Sequence, residues 1–175
     1  IDQCVELARA YDHVYAAVGV HPSELKGMDE DVIDHMRELS AWKKTVAVGE
    51  IGLDYYWEKD PGEQQNQRDW FIRQMELARE VSLPVIIHSR DAAEDTYSLM
   101  REIHAQEIPG VIHCYSYSPE LAREYIKMGY YIGVGGVVTF KNAKKLVQTV
   151  AETPIERILL ETDSPYLTPE PHRGR

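Results

Sequence analysis

The hydrophobic residues of this chain fall into short runs of strand length, separated by longer segments with a helical period. Six runs rich in Val, Ile, Leu, Ala and Gly predict β-strands. They cover residues 14–20, 45–54, 84–89, 110–115, 130–136 and 158–163. The runs are almost continuously apolar, which is typical of parallel strands covered on both faces.

The segments between the runs have recognisable helix boundaries. Helices are predicted over 29–42, where acidic residues open the segment, and over 63–82. Ser118-Pro119 predicts another helix start, and Gly129 lies just past its end. Alternating strands and helices predict an α/β fold. Because no repeat or linker interrupts the pattern, we expect one domain over residues 1–175.

Polar side chains lie at the ends of the predicted strands. In chain order they are His21, Glu50, Asp54, His88, Arg90, His113 and Asp163. The carboxyl ends of parallel strands share one face of a sheet or barrel, so we expect these side chains to converge. Imidazole and carboxylate groups together suit a divalent transition metal, or Mn or Mg with more water in the coordination shell.

The three histidines, Glu50 and Asp163 also have a structural explanation when each is taken alone. A histidine in apolar surroundings is often a hydrogen-bonded core residue. Glu50 could pair with Arg90 or Lys44, and Asp163 could be a turn former before Ser164-Pro165. Because so many polar residues stand at carboxyl ends of strands, the pattern as a whole favours a metal or catalytic site.

Composition limits how the protein can bind a partner. The formal net charge is −10, which argues against the broad basic surface that binds nucleic acid by counterion release. A phosphate-bearing substrate held through divalent metal ions is still compatible with this charge. Cys4 and Cys114 are far apart and form no disulfide framework, which indicates a reducing cytoplasm. We expect no membrane association, since no apolar run approaches the roughly 18 residues of a membrane span, and no obligate protein partner.

Three aromatic residues, Tyr55, Tyr56 and Trp57, follow Asp54 directly. Two interpretations stay open for this segment. The rings could stack on a nucleobase, or they could simply pack within the loop.

Several motifs together resemble one known family. They are VGVHP (18–22), GEIGLDYY (49–56), LPVIIHSRDA (83–92), VIHCYS (111–116), GGVVTFKNA (135–143) and LLETDSPYLTPEPHRGR (159–175). In these motifs the chain resembles the TatD family of metal-dependent deoxyribonucleases, within the amidohydrolase-like superfamily. The pair GEIGLDYY and ETDSPYL is the most specific part of the match.

The resemblance implies a TIM-like (β/α) barrel with one or two divalent metal ions (Mg, Mn or Zn) above the strand ends. The implied metal ligands are Glu50, His88, His113 and Asp163. Asp163 would also be catalytic, taking a proton from the attacking water. His21 would be catalytic through contact with the scissile phosphate, and Arg90 would assist in binding the substrate. The implied reaction is hydrolysis of DNA, single-stranded or at strand ends.

Glu161 and Asp163 must be distinguished, because side chains that are two residues apart on a strand face the same side. Asp163 is at the tip and is the predicted ligand. Glu161 would lie one layer deeper, as a neighbouring acid held by a cation or by hydrogen bonds.

The chain departs from the family pattern in one respect. The family begins with a strand that ends in His-x-His, and this sequence has no such pair. We therefore expect an incomplete barrel, with about six of eight strands, lacking the N-terminal His-x-His strand and the C-terminal helix. Two alternatives stay open. The protein could be a related ester or amide hydrolase, such as a D-aminoacyl-tRNA deacylase, or it could be a catalytically inactive barrel fragment.

Overall fold

Strands and helices alternate along residues 1–174, the part of the chain that this computed structural model describes. The strands are β1 (Ala16–Val18), β2 (Thr45–Asp54), β3 (Val85–Arg90), β4 (Gly110–Ile112), β5 (Tyr131–Val134) and β6 (Ile158–Leu160). The helices are α1 (Asp2–Ala10), α2 (Glu30–Ser40), α3 (Pro61–Val81), α4 (Ala93–Glu102), α5 (Pro119–Lys127) and α6 (Lys144–Glu152). All six predicted strands form, and the predicted α/β class is confirmed.

The described chain divides into two compact units, Ile1–Gly110 and Val111 onward. The single domain over residues 1–175 stays a prediction. None of the helices described over residues 1–174 has both the length and the apolar character needed to cross a membrane.

The first unit contains three parallel strands in the order β1-β2-β3. At their carboxyl ends Gly52 pairs with His88, and Asp54 pairs with Arg90. The register between β2 and β3 is irregular between Val48 and Ile51. Glu50 lies within this irregular stretch, so the simple alternation of a regular strand does not fix the direction of its side chain.

Helix α3 supplies much of the cover for β2. The Asp60 carboxylate caps the start of the helix by accepting hydrogen bonds from the backbone N–H groups of Gly62 and Glu63, at 2.9 and 3.0 Å. The helix buries Phe71, Met75 and Ala78, as its sequence period predicts. Burying each large apolar side chain stabilises the fold by roughly 1.5–3 kcal/mol.

The second unit contains β4, β5 and β6, which are also parallel and adjacent in that order. Ser118 caps α5 by accepting a hydrogen bond from the backbone N–H of Leu121, and Gly129 follows the helix with a φ of +93°. Both helix boundaries were predicted from the sequence. Tyr125, Tyr130 and Ile132 form part of the buried interior of this unit.

Strand β6 differs from its prediction in length and in burial. It ends at Leu160, so Glu161, Thr162 and Asp163 follow the strand instead of belonging to it. Leu159 and Leu160 are 43% and 91% exposed, although an apolar run predicts burial. The run pairs with β5 through its backbone, while the residues described in this unit leave its outer side chains uncovered.

Gly52 is a position where the fold requires glycine. Its φ is +142°, and a Cβ atom built there would lie 1.9 Å from the backbone oxygen of His88. Two constraints therefore act together, a backbone conformation that only glycine adopts readily and a close approach between β2 and β3.

We predict that Gly52→Ala lowers the free energy of unfolding by at least about 2 kcal/mol more than Gly27→Ala does. Gly27 also has a positive φ, +81°, but a Cβ atom added to it would have no neighbour within 4 Å. Its substitution thus isolates the backbone penalty, about 1 kcal/mol. Urea unfolding of both variants measures the difference. Equal losses would show that the close approach of the strands does not constrain the fold.

Candidate metal-binding clusters

His88 lies between two carboxylates in the first unit. Its Nδ1 is 2.8 Å from Glu50 Oε1, and its Nε2 is 3.2 Å from Asp54 Oδ2. An ionised carboxylate can only accept a hydrogen bond, and each ring nitrogen faces one, so a neutral ring can donate to only one of the two. The shorter contact, at Nδ1, favours the hydrogen on the side of Glu50, which leaves Nε2 and Asp54 Oδ2 as two electron-pair donors that face each other.

His21 completes a group of possible ligands with Glu50 and His88. One ligand atom from each of the three residues lies within 4.8 Å of those of the other two. The rings of His21 and His88 meet edge to face, with their centroids 4.4 Å apart. Burial lowers the pKa of His21, and the neighbouring His88 lowers it further, so the neutral form is favoured.

The hydrogen bonds of His21 identify its tautomer. The backbone N–H of Ser23 donates to His21 Nδ1 at 3.2 Å, and the Ser23 hydroxyl oxygen lies 2.8 Å from the same atom. A backbone N–H can only donate, so Nδ1 accepts and the hydrogen of the neutral ring is on Nε2. His21 is therefore better suited to donate a hydrogen bond to a substrate oxygen than to ligate a metal.

Two buried glutamines of α3 fix the segments that carry these side chains. Gln74 accepts a hydrogen bond from the Val20 N–H at 2.7 Å and donates to the Val20 carbonyl at 3.1 Å. Gln67 accepts from the Asp54 N–H at 2.9 Å. The residue before His21 and the end of β2 are thus both held by one helix face.

Asp54 connects His88 with the loop that follows β2. Its side chain is almost fully buried, and Oδ1 accepts hydrogen bonds from the backbone N–H groups of Tyr56 and Trp57, at 3.0 and 3.1 Å. Oδ2 is the atom that faces His88. Arg90, the predicted substrate-binding residue, is exposed at the end of β3, with its guanidinium 4.0 Å above the Tyr56 ring.

The second unit repeats the arrangement of one histidine between two acids. His113 Nδ1 is 2.8 Å from Glu161 Oε2, and His113 Nε2 is 3.4 Å from Asp163 Oδ1. Glu161 also accepts a hydrogen bond from the Cys114 N–H, at 2.6 Å. The Asp163 side chain is 40% exposed and that of Glu161 only 18%. Hydrogen bonds hold Glu161, the deeper acid, as predicted.

The structure brings the predicted residues together in two sets. Glu50, His88 and His21 form one set, and His113 and Asp163 form the other. The roles of these residues, and the convergence of the two sets on one metal centre, stay predictions.

The sequence pattern places Asp54 among the converging side chains but assigns it no role, and it assigns none to Ser23, Gln67 or Gln74. The sequence does contain spacing signals for three of these residues, Asp54 and the two glutamines. Asp54 follows Glu50 by four residues, and the two glutamines are seven residues apart on a helix face that is otherwise apolar.

The donor atoms fit a divalent metal. Each set offers an imidazole Nε2 facing an aspartate oxygen, and each Nδ1 is hydrogen-bonded to a glutamate. A carboxylate at the opposite ring nitrogen is the common way in which proteins orient a metal-binding histidine. In the first unit His88 Nε2 and Asp54 Oδ2 face each other and could hold an ion, while Glu50, the predicted ligand, contacts the opposite ring nitrogen through Oε1. In the second unit His113 Nε2 and Asp163 could hold one.

Comparison with known proteins gives consistent matches. A family model described as TatD related DNase matches residues 1–175. The chain is 47% identical to the uncharacterized metal-dependent hydrolase YabD of Bacillus subtilis over 175 residues, covering 100% of this chain and 68% of that protein. It is 41% identical over 170 residues to the uncharacterized metal-dependent hydrolase YcfH of Escherichia coli K12, covering 97% of this chain and 63% of that protein.

A solved structure is similar along the whole chain. The crystal structure of YjjV, a TatD homologue from Escherichia coli K12, matches with a TM-score of 0.91 and 32% identity, covering 100% of this chain and 67% of that one. The likeness supports the predicted TIM-like (β/α) class. The chain thus spans about two thirds of the length of the relatives that it matches.

We predict that His88→Ala weakens divalent-metal binding by about 10- to 100-fold, because it removes the ring that lies between Glu50 and Asp54. Isothermal titration with Mn²⁺ or Zn²⁺ measures the affinity. His35→Ala is the matched control, since His35 pairs with Asp2 away from the cluster. An unchanged affinity in the His88 variant would exclude this ring as a ligand.

A second prediction concerns Glu161, whose carboxylate is the nearer of the two acids that face His113 and therefore favours the Nδ1–H tautomer. Glu161→Gln should reduce the share of that tautomer, because the amide no longer offers a charged acceptor. Imidazole ¹⁵N shifts of the metal-free protein in alkaline buffer measure the change. Glu156→Gln, at an exposed position of the same unit, should leave the shifts as in the parent protein. Identical spectra for all three proteins would contradict the assignment.

Proposed function

The chain belongs to the family of TatD-related DNases, and on this premise we propose that it hydrolyses phosphodiester bonds of DNA with the help of divalent metal ions. The proposed metal ligands are Glu50, His88, His113 and Asp163. The observation that carries the proposal is the pairing of His88, oriented by carboxylates, with the neutral hydrogen-bond donor His21 beside it. Metal-assisted phosphodiester hydrolysis uses both a bound cation and a hydrogen-bond donor for the phosphate oxygens.

A divalent ion held by these ligands would lower the pKa of a water molecule and polarise a phosphoryl oxygen. The side chains of the chain contribute the remaining functions. His21 donates from Nε2 to a phosphate oxygen, because Ser23 occupies its Nδ1. The exposed guanidinium of Arg90 offers a second, charged donor for phosphate.

Asp163 is the proposed acceptor for the proton of the attacking water. Its side chain is the more exposed of the two acids around His113, so solvent can reach it. Glu161 is less suited to this role, because His113 and the Cys114 N–H already occupy its two oxygens. The acid that must release and regain a proton is thus distinct from the acid that orients the histidine.

Mixed imidazole and carboxylate donors are compatible with Zn or Mn, and with Mg if more water molecules complete the shell. We propose one or two ions of this class.

We predict that the protein releases nucleotides from single-stranded DNA only with divalent metal, and that Asp163→Asn lowers kcat by about 10²- to 10⁴-fold. The assay uses protein stripped with chelator and then supplied separately with Mn²⁺, Mg²⁺ or Zn²⁺. Asp69→Asn, an exposed substitution on α3, serves as the matched control and should retain full activity.

An aminoacyl ester is the comparison substrate for this assay, because the same ligands could serve an ester or amide hydrolase. If the protein hydrolysed the ester and did not cleave DNA, the proposed DNA substrate would be wrong and an ester would take its place. Cleavage of DNA that persists in excess chelator would overturn the metal dependence.

A further inference from the structure

The loop after β2 has a backbone that is held firmly in place. The Asp54 carboxylate accepts hydrogen bonds from the N–H groups of Tyr56 and Trp57, and the Tyr55 N–H donates to the Arg90 carbonyl at 2.8 Å. Lys59 donates from Nζ to the Tyr55 carbonyl. The position of this loop is therefore set by residues at the ends of β2 and β3.

The first aromatic side chain of the loop anchors it. The Tyr55 hydroxyl donates to Asp95 Oδ2 at 2.7 Å and accepts from Arg68 Nη1 at 2.7 Å. Burial raises the pKa of Tyr55 to about 12, with a further contribution from Asp95, so the hydroxyl keeps its hydrogen at neutral pH. Tyr55 is thus a structural residue of the loop.

The next two aromatic side chains point outward. Tyr56 and Trp57 meet edge to face, with ring centroids 4.7 Å apart and an interplanar angle of 86°. Trp57 is 71% exposed, so packing within the loop, one of the two interpretations left open by the sequence, does not account for its indole. With the guanidinium of Arg90 above Tyr56, these residues form an aromatic platform of Tyr56, Trp57 and Arg90.

A cavity of about 680 Å³ adjoins this platform. Its walls include Trp57, Trp70, Met28 and, close to the His88 cluster, Asp54. The volume is within the range of small-molecule sites, roughly 300–1,000 Å³. Indole and thioether walls suit a flat apolar ring.

The charges around the cavity favour a neutral ring over a phosphate group. Lys26 is the one basic residue among those that line the described cavity, and Glu58, Glu63 and Asp54 are acidic. An anion placed there would meet more negative than positive charge. A nucleobase has no net charge and offers a π face to an exposed indole.

We propose that this cavity receives an unpaired nucleobase of the substrate strand, that Trp57 stacks on it, and that Arg90 contacts an adjacent phosphate. The inference rests on the proposed DNase function. Asp54 faces His88 with one oxygen and accepts the Trp57 backbone N–H with the other. The stacked base and the reacting phosphate would therefore be fixed relative to each other through one side chain.

Stacking on an indole requires a free base face. Inside a duplex both faces of a base are covered by its neighbours, so the platform should select single strands or frayed ends. All four bases have a π face, so we expect little sequence preference.

The experiment combines an abasic scan with substitution of Trp57. Single tetrahydrofuran residues are placed at successive positions of a single-stranded oligonucleotide, and binding is followed by fluorescence anisotropy in chelator. Removing the base at one position should weaken binding to the parent protein by about 5- to 150-fold. Trp57→Ala should weaken binding of the intact strand to the same extent and make it insensitive to that abasic position. Trp57→Phe should restore part of the effect.

Tyr15→Ala is the matched control, because Tyr15 is another exposed aromatic residue of the first unit that lies outside the cavity lining. It should behave as the parent protein. An abasic effect of equal size in the parent and in Trp57→Ala would overturn the proposed stacking, as would the absence of binding to the parent.

Metal-dependent cleavage of the intact oligonucleotide is measured in parallel. Cleavage without the abasic pattern would refute only this inference, and the abasic pattern without cleavage would refute only the proposed DNase activity.

Discussion

The buried carboxylate of Asp54 is the constraint on which the first cluster depends. One oxygen faces the Nε2 of His88, and the other accepts the backbone N–H groups of the loop that follows β2. A buried carboxylate with few partners would be costly. Oδ1 has two backbone donors, and a cation between Oδ2 and His88 Nε2 would stabilise the other oxygen. The same side chain therefore orients a candidate metal ligand and shapes the surface next to it. Gln67 adds a further restraint, because it binds the Asp54 backbone N–H.

Both units place a histidine between a glutamate and an aspartate. In each, a glutamate binds Nδ1 and an aspartate faces Nε2, although the spacing of the acids differs. Glu50 and Asp54 are four residues apart in a strand with an irregular register, whereas Glu161 and Asp163 are two apart beyond the end of β6. Two different backbones thus give one chemical arrangement. In the second unit the deeper glutamate orients the ring and leaves the outer aspartate available for a cation or a proton. In the first unit the depths are reversed, because the Asp54 side chain is 4% exposed and that of Glu50 is 30% exposed.

Much of the fold could be predicted because its signals are local in sequence. Apolar runs identified the six strands, and residues such as Ser118 and Gly129 identified helix boundaries by their backbone chemistry. The grouping of Glu50 and His88 followed from parallel strands whose carboxyl ends share an edge. The roles of Gln74 and Asp54 depend on hydrogen bonds between distant segments, and Gln74 binds Val20 across 54 positions. No local pattern specifies such a partner. The exposure of Leu160 was likewise not predictable, because burial depends on what packs against a run.

The acidity of the chain and its proposed substrate are compatible because recognition can be concentrated in a small area. With a formal net charge of −10, the protein gains little from counterion release along a nucleic acid. Metal ions held by the proposed ligands would supply positive charge, and His21 and Arg90 supply hydrogen-bond donors, only where a phosphate would react. In the proposed complex, the exposed indole of Trp57 would contribute binding energy that does not depend on charge. Such an arrangement would bind a short segment with an unpaired base, and the net negative charge of the protein would disfavour contact with the rest of the strand.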